Sequence, residues 1–120
     1  MPQVEIEYSA NLDDAFDAEG FARAVHAALV EHAGADLLNC KTRLSPLAHH
    51  LIGDGAAERA MVHADLRILP GRSEAQKRAL GEAVLASLEA AASGATGFDI
   101  QLTVEVRELG ALYFKRRLTP

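Results

Sequence analysis

This chain of 120 residues contains one cysteine, no tryptophan and few aromatic residues of any kind. A single cysteine, Cys40, excludes a disulfide framework and a metal site built from several cysteines. No apolar run approaches the length of a membrane span, and the first residues lack the continuous apolar stretch of a signal peptide. We therefore expect a cytoplasmic protein with no membrane partner.

Several motifs that carry chemistry are also missing. The sequence has no glycine-rich phosphate loop and no Ser/His/Asp set at a familiar spacing. The adjacent histidines His49 and His50 have no carboxylate or cysteine partners nearby in the sequence, so we expect no metal site.

Basic residues are also fewer than acidic ones. The chain has 12 Lys and Arg residues against 17 Asp and Glu residues, which gives a net charge of −5. A chain of this sign is not expected to bind nucleic acid, and an anionic small molecule would need a local cluster of basic residues. Hydrophobic residues make up 49% of the sequence. This composition is typical of one folded domain, residues 1–120, with a small core.

The pattern of polar and apolar residues predicts four strands and two helices. Strict alternation predicts the strands, which fall at residues 3–8, 38–45, 61–68 and 100–107. Apolar residues at three- and four-residue spacing predict a helix from about Asp17 to Ala33, stopped by Gly34. A Ser-x-x-Gln capping box at Ser73 begins the second helix, which ends at Ser93-Gly94. Residues 46–58 form the linker.

The order strand–helix–strand occurs twice. It predicts an α+β fold in which tandem β-α-β repeats form a four-stranded mixed sheet with two helices on one face. The other face would carry polar side chains: Glu5, Glu7, Lys41, Arg43, His63, Asp65, Arg67, Glu105 and Arg107. That face either lies open to solvent or forms a polar interface between subunits. We favour the interface because a small domain with two helices gains stability by oligomerising.

The second residue, Pro2, is a candidate catalytic group. If Met1 is removed, Pro2 carries a free secondary amine. A backbone amine titrates near ~7.7–8.0, and desolvation or nearby cations lower that value, so the amine can serve as a general base near neutral pH. Many chains carry a proline at this position by chance, so the interpretation depends on companion residues.

Three cations are candidate companions. Arg72 lies in the turn that opens the second helix, where free N–H groups and a guanidinium suit a carboxylate; it also fits an exposed turn with no ligand. Lys41 and Arg43 project from one face of the second strand. They suit a dicarboxylate, or alternatively pair with glutamates across the sheet.

The remaining polar residues have plainer interpretations. Cys40 points toward the apolar face and is expected in the core, and His63 is expected to make a structural hydrogen bond. The basic run Lys115–Arg117 is either a solvated tail or a segment that reaches a neighbouring subunit.

Together these motifs resemble the 5-carboxymethyl-2-hydroxymuconate isomerase family of the tautomerase superfamily. The resemblance covers essentially the whole chain in order, and its most specific part is the Val-His strand followed by Gly-Arg-Ser. The matching segments are Met1-Pro2, Glu7–Leu12, Cys40–Arg43, Met61–Ile68, Gly71–Ser73, Val104–Leu109 and Tyr113–Lys115.

The resemblance implies a homotrimer whose sheets face inward and a catalytic amino-terminal proline, here Pro2. It also implies an anionic dienol substrate from homoprotocatechuate breakdown, bound and polarised by arginines on the second strand and before the second helix. Arg72 matches the latter arginine. The second-strand motif is usually arginine, a small residue and arginine, but here it is Lys41-Thr42-Arg43, and lysine lacks the planar fork.

The reaction implied is a 1,3-proton shift from enol to keto with no cofactor. Pro2 would be the general base, and Arg72 with Lys41 or Arg43 would pair with the substrate carboxylates. Two alternatives stay open. The chain is a tautomerase for another substrate, such as phenylpyruvate or a smaller 2-hydroxydienoate, or it is a non-catalytic ligand-binding module of the same fold.

Overall fold

The computed structural model describes residues 1–120, and its four strands form one sheet. The strands are β1 (Gln3–Ser9), β2 (Lys41–Leu47), β3 (Arg59–Ile68) and β4 (Asp99–Glu108). The helices are α1 (Ala18–Ala33) and α2 (Glu74–Ala91), with short 3₁₀ turns at Ala10–Ala15 and Leu37–Asn39.

The sheet has the strand order β2-β1-β3-β4. Strand β1 runs parallel to β2, β3 runs parallel to β4, and β1 and β3 are antiparallel at the centre. Each parallel pair is joined through a helix, as a β-α-β unit requires. The predicted mixed sheet of two such units is confirmed.

Local capping residues define the ends of both helices. Asp17 caps α1 by accepting a hydrogen bond from the Gly20 amide, and Gly34 ends the helix in the left-handed conformation at φ 64°. The Ser73 hydroxyl accepts from the Gln76 amide while the Gln76 side chain accepts from the Ser73 amide. The capping box and the glycine stop predicted from the sequence are both confirmed.

The core lies on one face of the sheet, where both helices pack. Alternate residues of the central strands are fully buried, and they contact the apolar stripes of α1 and α2. The fully buried members of this cluster include Val4, Ile6, Phe21, Val25, Leu29, Val62, Ala64, Leu66, Leu80, Val84 and Leu88. Burying each of these larger side chains contributes about 1.5–3 kcal/mol before the entropy of ordering is counted.

The second strand differs from the prediction at both ends. Residues 37–39 form a 3₁₀ turn instead of strand, because the Asp36 carboxylate accepts a hydrogen bond from the Leu38 amide. Leu38 is consequently 71% exposed. At the other end β2 includes Pro46 and Leu47, which the sequence assigned to the linker. An edge strand accommodates proline because one side of its hydrogen-bonding ladder is free.

No helix covers the opposite face of the sheet, which carries the predicted polar residues. Asp65 is buried there and accepts hydrogen bonds from Arg67 and Arg107. These bonds and the positive charges hold the pKa of Asp65 below its ordinary value, with the Arg107 bond as the largest cause. No helix of the structure is both long and apolar enough to span a membrane.

Candidate active site

The strand directions gather several chain segments at one end of the sheet. Gln3, at the start of β1, lies opposite Lys41 of β2 on one side and Arg67 of β3 on the other. Arg67 in turn lies opposite Arg107 near the end of β4. The starts of β1 and β2 therefore meet the ends of β3 and β4, together with the segments that follow those ends.

Pro2 immediately precedes β1 at this end of the sheet and is buried. Its carbonyl accepts a hydrogen bond from the Lys41 amide at 3.3 Å, which fixes it beside the start of β2. While Met1 is present, the ring nitrogen of Pro2 is an amide and has no basicity. Removal of Met1 would place a free amine at this buried position.

The terminal amine of Met1 has a pKa below its ordinary value of 8.0, and burial is the largest cause. Positive charges nearby lower it further, in the order Lys115, Lys41 and Arg72, while Cys40 acts in the opposite direction. Each effect disfavours the protonated form. This end of the sheet therefore favours a neutral amine.

Arg72 is held in place by two backbone carbonyls. Its Nε donates to the Ala33 carbonyl at 2.8 Å and its Nη1 to the Leu69 carbonyl at 3.3 Å. The turn depends on Gly71, whose φ of 115° is one that only glycine adopts readily. The Nη2 group makes no hydrogen bond within the chain. The guanidinium is thus oriented, half-buried and available to an anion.

The two cations of β2 occupy different positions. The Lys41 ammonium donates to the Asn39 carbonyl and lies close enough to the terminal amine to lower its pKa. Arg43 lies two residues further along, opposite Glu5, where it is exposed and forms no ion pair within the chain. Within one subunit Lys41 and Arg72 are thus both near enough to the terminal amine to lower its pKa, and Arg43 is not among the residues that do so.

Sequence reasoning missed the part played by the segment after β4. Residues 113–118 form one wall of a cavity of about 450 Å³ beside the amino terminus, whose other lining residues are Met1, Gln3, Leu38, Asn39 and Lys41. The feature of the sequence that could have indicated this role is the charge of the segment. The last dozen residues carry three basic residues, Lys115–Arg117, and no acidic one, in a chain whose acidic residues outnumber its basic ones.

The structural roles expected for two other residues are confirmed. His63 Nδ1 lies 2.7 Å from the Thr103 hydroxyl on the polar face of the sheet. Cys40 is buried in the core cluster, and burial raises the pKa of its thiol. Neither residue lines the cavity at the amino terminus.

The sequence of this chain matches the family model of 5-carboxymethyl-2-hydroxymuconate isomerase over residues 2–117. The chain belongs to this family, and it is an isomerase. A crystal structure of a 5-carboxymethyl-2-hydroxymuconate isomerase from Deinococcus radiodurans R1 superposes with a TM-score of 0.86 at 25% identity, covering 98% of this chain and 90% of that one. None of the curated proteins compared with this isomerase matches its sequence.

Other solved structures share the fold of this isomerase. A 5-carboxymethyl-2-hydroxymuconate delta-isomerase superposes with a TM-score of 0.83 at 24% identity, over 98% of this chain and 88% of that one. A wild-type fused 4-OT, described as a symmetric trimer, superposes with a TM-score of 0.66 at 21% identity over 88% and 85% of the two chains. The tautomerase fold implied by the sequence resemblance is confirmed.

Proposed function

We propose that this isomerase, acting as one domain over residues 1–120, moves a proton within 5-carboxymethyl-2-hydroxymuconate or a similar dienol dicarboxylate, with the Pro2 amine as general base. The observation that carries the proposal is the environment of the amino terminus. Pro2 is buried and its carbonyl accepts from the Lys41 amide, and the amine of the preceding residue, Met1, has a pKa lowered by burial and by Lys115, Lys41 and Arg72. Membership of the family supports the same substrate class.

In the proposed reaction, the neutral Pro2 nitrogen takes the proton of the enol hydroxyl. The oxygen electron pair then forms the carbonyl, and the double bonds shift along the conjugated system. The protonated Pro2 amine returns its proton to a carbon of that system, which regenerates the base. Every atom moved is a proton of the substrate or of Pro2, so the step is balanced without a cofactor.

The cations have two effects in this scheme. The free Nη2 of Arg72 and the ammonium of Lys41 pair with substrate carboxylate and stabilise the dienolate charge. The same positive charges keep Pro2 neutral before the substrate binds. Arg43 is separated from Pro2 within one subunit. We therefore propose that Arg43 binds substrate in the site of a neighbouring subunit.

We also infer that the chain assembles as a homotrimer. Only 25 of its 120 residues are buried, and three large apolar side chains of the last segment, Leu112, Phe114 and Leu118, are 84–88% exposed. The radius of gyration is 15.2 Å, against about 14 Å for a compact chain of this length. An uncovered polar sheet face and an exposed apolar segment support burial against other subunits. The symmetric trimer among the structural neighbours agrees with this inference.

A comparison of amino termini tests the base directly. Three proteins are prepared by cleavage of a fusion: one begins at Pro2, one begins at Met1, and one carries Pro2→Ala at its first position. We expect turnover of the dienol by the first, loss of turnover by the second because its proline nitrogen is an amide, and weaker turnover by the primary amine of the third. Equal activity of the first two proteins would contradict the proposal.

A second candidate is a tautomerase for a different enol, and Lys41 favours considering it. An ammonium binds carboxylate as a point charge and lacks the two-pronged geometry of a guanidinium. Lys41 therefore allows a preferred substrate different from that of relatives with arginine at this position. A panel of 5-carboxymethyl-2-hydroxymuconate, 2-hydroxymuconate, a smaller 2-hydroxydienoate and phenylpyruvate decides between the two. Turnover of none of these by the protein that begins at Pro2 would support a non-catalytic ligand-binding module.

A further inference from the structure

The segment Tyr113–Leu118 supplies a wall of the cavity that the two β-α-β units do not supply. It contains no helix or strand, and its side chains are mostly exposed. One hydrogen bond joins residues 110–120 to the rest of the chain: the Gln3 amide Nε2 donates to the Tyr113 hydroxyl at 2.9 Å. This hydrogen bond ties the segment to the start of β1, beside the amino terminus.

The charged side chains that line the cavity are all basic. Lys41 lies on the β2 side, and Lys115, Arg116 and Arg117 lie on the side of the segment. No acidic residue lines the cavity, although acidic residues outnumber basic ones in the chain as a whole. Cations on opposite walls repel one another when the cavity is empty, and a ligand with two separated anionic groups relieves that repulsion.

Lys115 is the member of this set that acts most strongly on the terminal amine, ahead of Lys41 and Arg72. Lys115 and Met1 line the same cavity, so a ligand that fills the cavity beside the amino terminus meets the Lys115 ammonium. Lys41 belongs to β2 and Arg72 to the turn before α2, whereas Lys115 belongs to the segment after β4, so the three cations come from three separate parts of the chain.

We propose that Lys115 binds a second carboxylate of the substrate and makes the isomerase selective for acids with more than one carboxylate, and that the Gln3–Tyr113 hydrogen bond positions Lys115. The proposal rests on the proposed function for the placement of the reacting end at Pro2. Lys115 is then a specificity residue, and Tyr113 and Gln3 are positioning residues.

The test compares a diacid with a monoacid. Lys115→Met keeps the aliphatic stem and removes the charge, and Arg78→Met removes one exposed charge from α2 as the matched control. Kinetics with 2-hydroxymuconate and 2-hydroxypenta-2,4-dienoate are measured at a pH on the plateau of activity, so that a change in the amine pKa does not contribute. We expect Lys115→Met to raise KM for the diacid about 10-fold, as for one lost charge-assisted contact. KM for the monoacid and the control should change less than about threefold.

Binding of unreactive acids separates this proposal from the proposed base. Dissociation constants of adipate and hexanoate do not require proton transfer, so they report on Lys115 whether or not Pro2 is the base. We expect Lys115→Met to weaken the binding of adipate and to leave the dissociation constant of hexanoate unchanged. Tyr113→Phe should weaken adipate in the same direction by a smaller factor. Equal changes for the diacid and the monoacid, or no change for either, would overturn the proposal.

Discussion

Arg72→Ala is the substitution whose effect follows most closely from the geometry of the site. The change removes a guanidinium whose Nε and Nη1 are bound to the carbonyls of Ala33 and Leu69 and whose Nη2 is unpaired. Two consequences are separable. The protein loses a brace between the end of α1 and the turn before α2, and the site loses an oriented cation.

The expected size of each effect can be worked out. A carboxylate about 4 Å from a cation gains about 4 kcal/mol at an effective dielectric constant of 20 and about 1 kcal/mol in water. Arg72 is half-buried, so a value of about 2–3 kcal/mol is appropriate, which corresponds to a loss in kcat/KM of about 100-fold. Loss of the two hydrogen bonds, partly exchanged for water, should cost about 1–2 kcal/mol of unfolding free energy.

Urea unfolding and steady-state kinetics of the same protein separate the two effects. Arg72→Lys keeps the charge without the two-carbonyl fork, so it should recover part of the activity and little of the stability. Arg78→Ala is the matched control, because it removes an exposed arginine of α2 that pairs only with Glu74. If Arg72→Ala unfolds more easily but keeps kcat/KM within about threefold of the parent, Arg72 is a brace and not part of the site.

Three further predictions concern charge and capping. Lys41→Met should raise the pKa of the terminal amine, because Lys41 lowers it; the acidic limb of the kcat/KM profile should then shift to higher pH, and an unmoved limb would contradict the proposed base. Asp65→Asn removes the negative charge and one of the two carboxylate oxygens that accept from Arg67 and Arg107, and it should lower the unfolding free energy in urea by about 1–3 kcal/mol. The folded-state pKa of Asp65 is lowered, so its contribution is present above pH ~3.9 and is lost as the pH falls through the folded-state value; a parent and variant with the same pH dependence would refute this. Ser73→Ala should cost about 1 kcal/mol by urea unfolding, and a change below about 0.3 kcal/mol would mean that the capping box contributes little to this helix.

The regular elements follow from local patterns, because each pattern has a local physical cause. A glycine that adopts the left-handed conformation ends α1, and two reciprocal hydrogen bonds begin α2 at Ser73. The start of β2 was predicted wrongly because residues 38–45 alternate as a strand does. The Asp36 side chain competes for the Leu38 amide and turns the chain into a 3₁₀ helix.

The candidate site was predictable only in part. Pro2, Lys41 and Arg72 flank strand ends, and the register of the sheet places those ends together. The segment around Lys115 has no periodicity, and the hydrogen bond that ties it to β1 joins Gln3 and Tyr113, 110 residues apart in the chain. A single long-range hydrogen bond leaves no pattern in the sequence that local rules could detect.

The state of the amino-terminal amine tests the central claim most directly. The intact mass shows whether Met1 has been removed, and a pH titration of the Pro2 nitrogen by NMR then gives the amine pKa. If Pro2 is the base, the mass lacks Met1 and the amine pKa is clearly below the ordinary ~7.7–8.0, because burial and three nearby cations lower the pKa of the terminal amine. A protein that retains Met1, or a Pro2 amine with an unshifted or raised pKa, would contradict it.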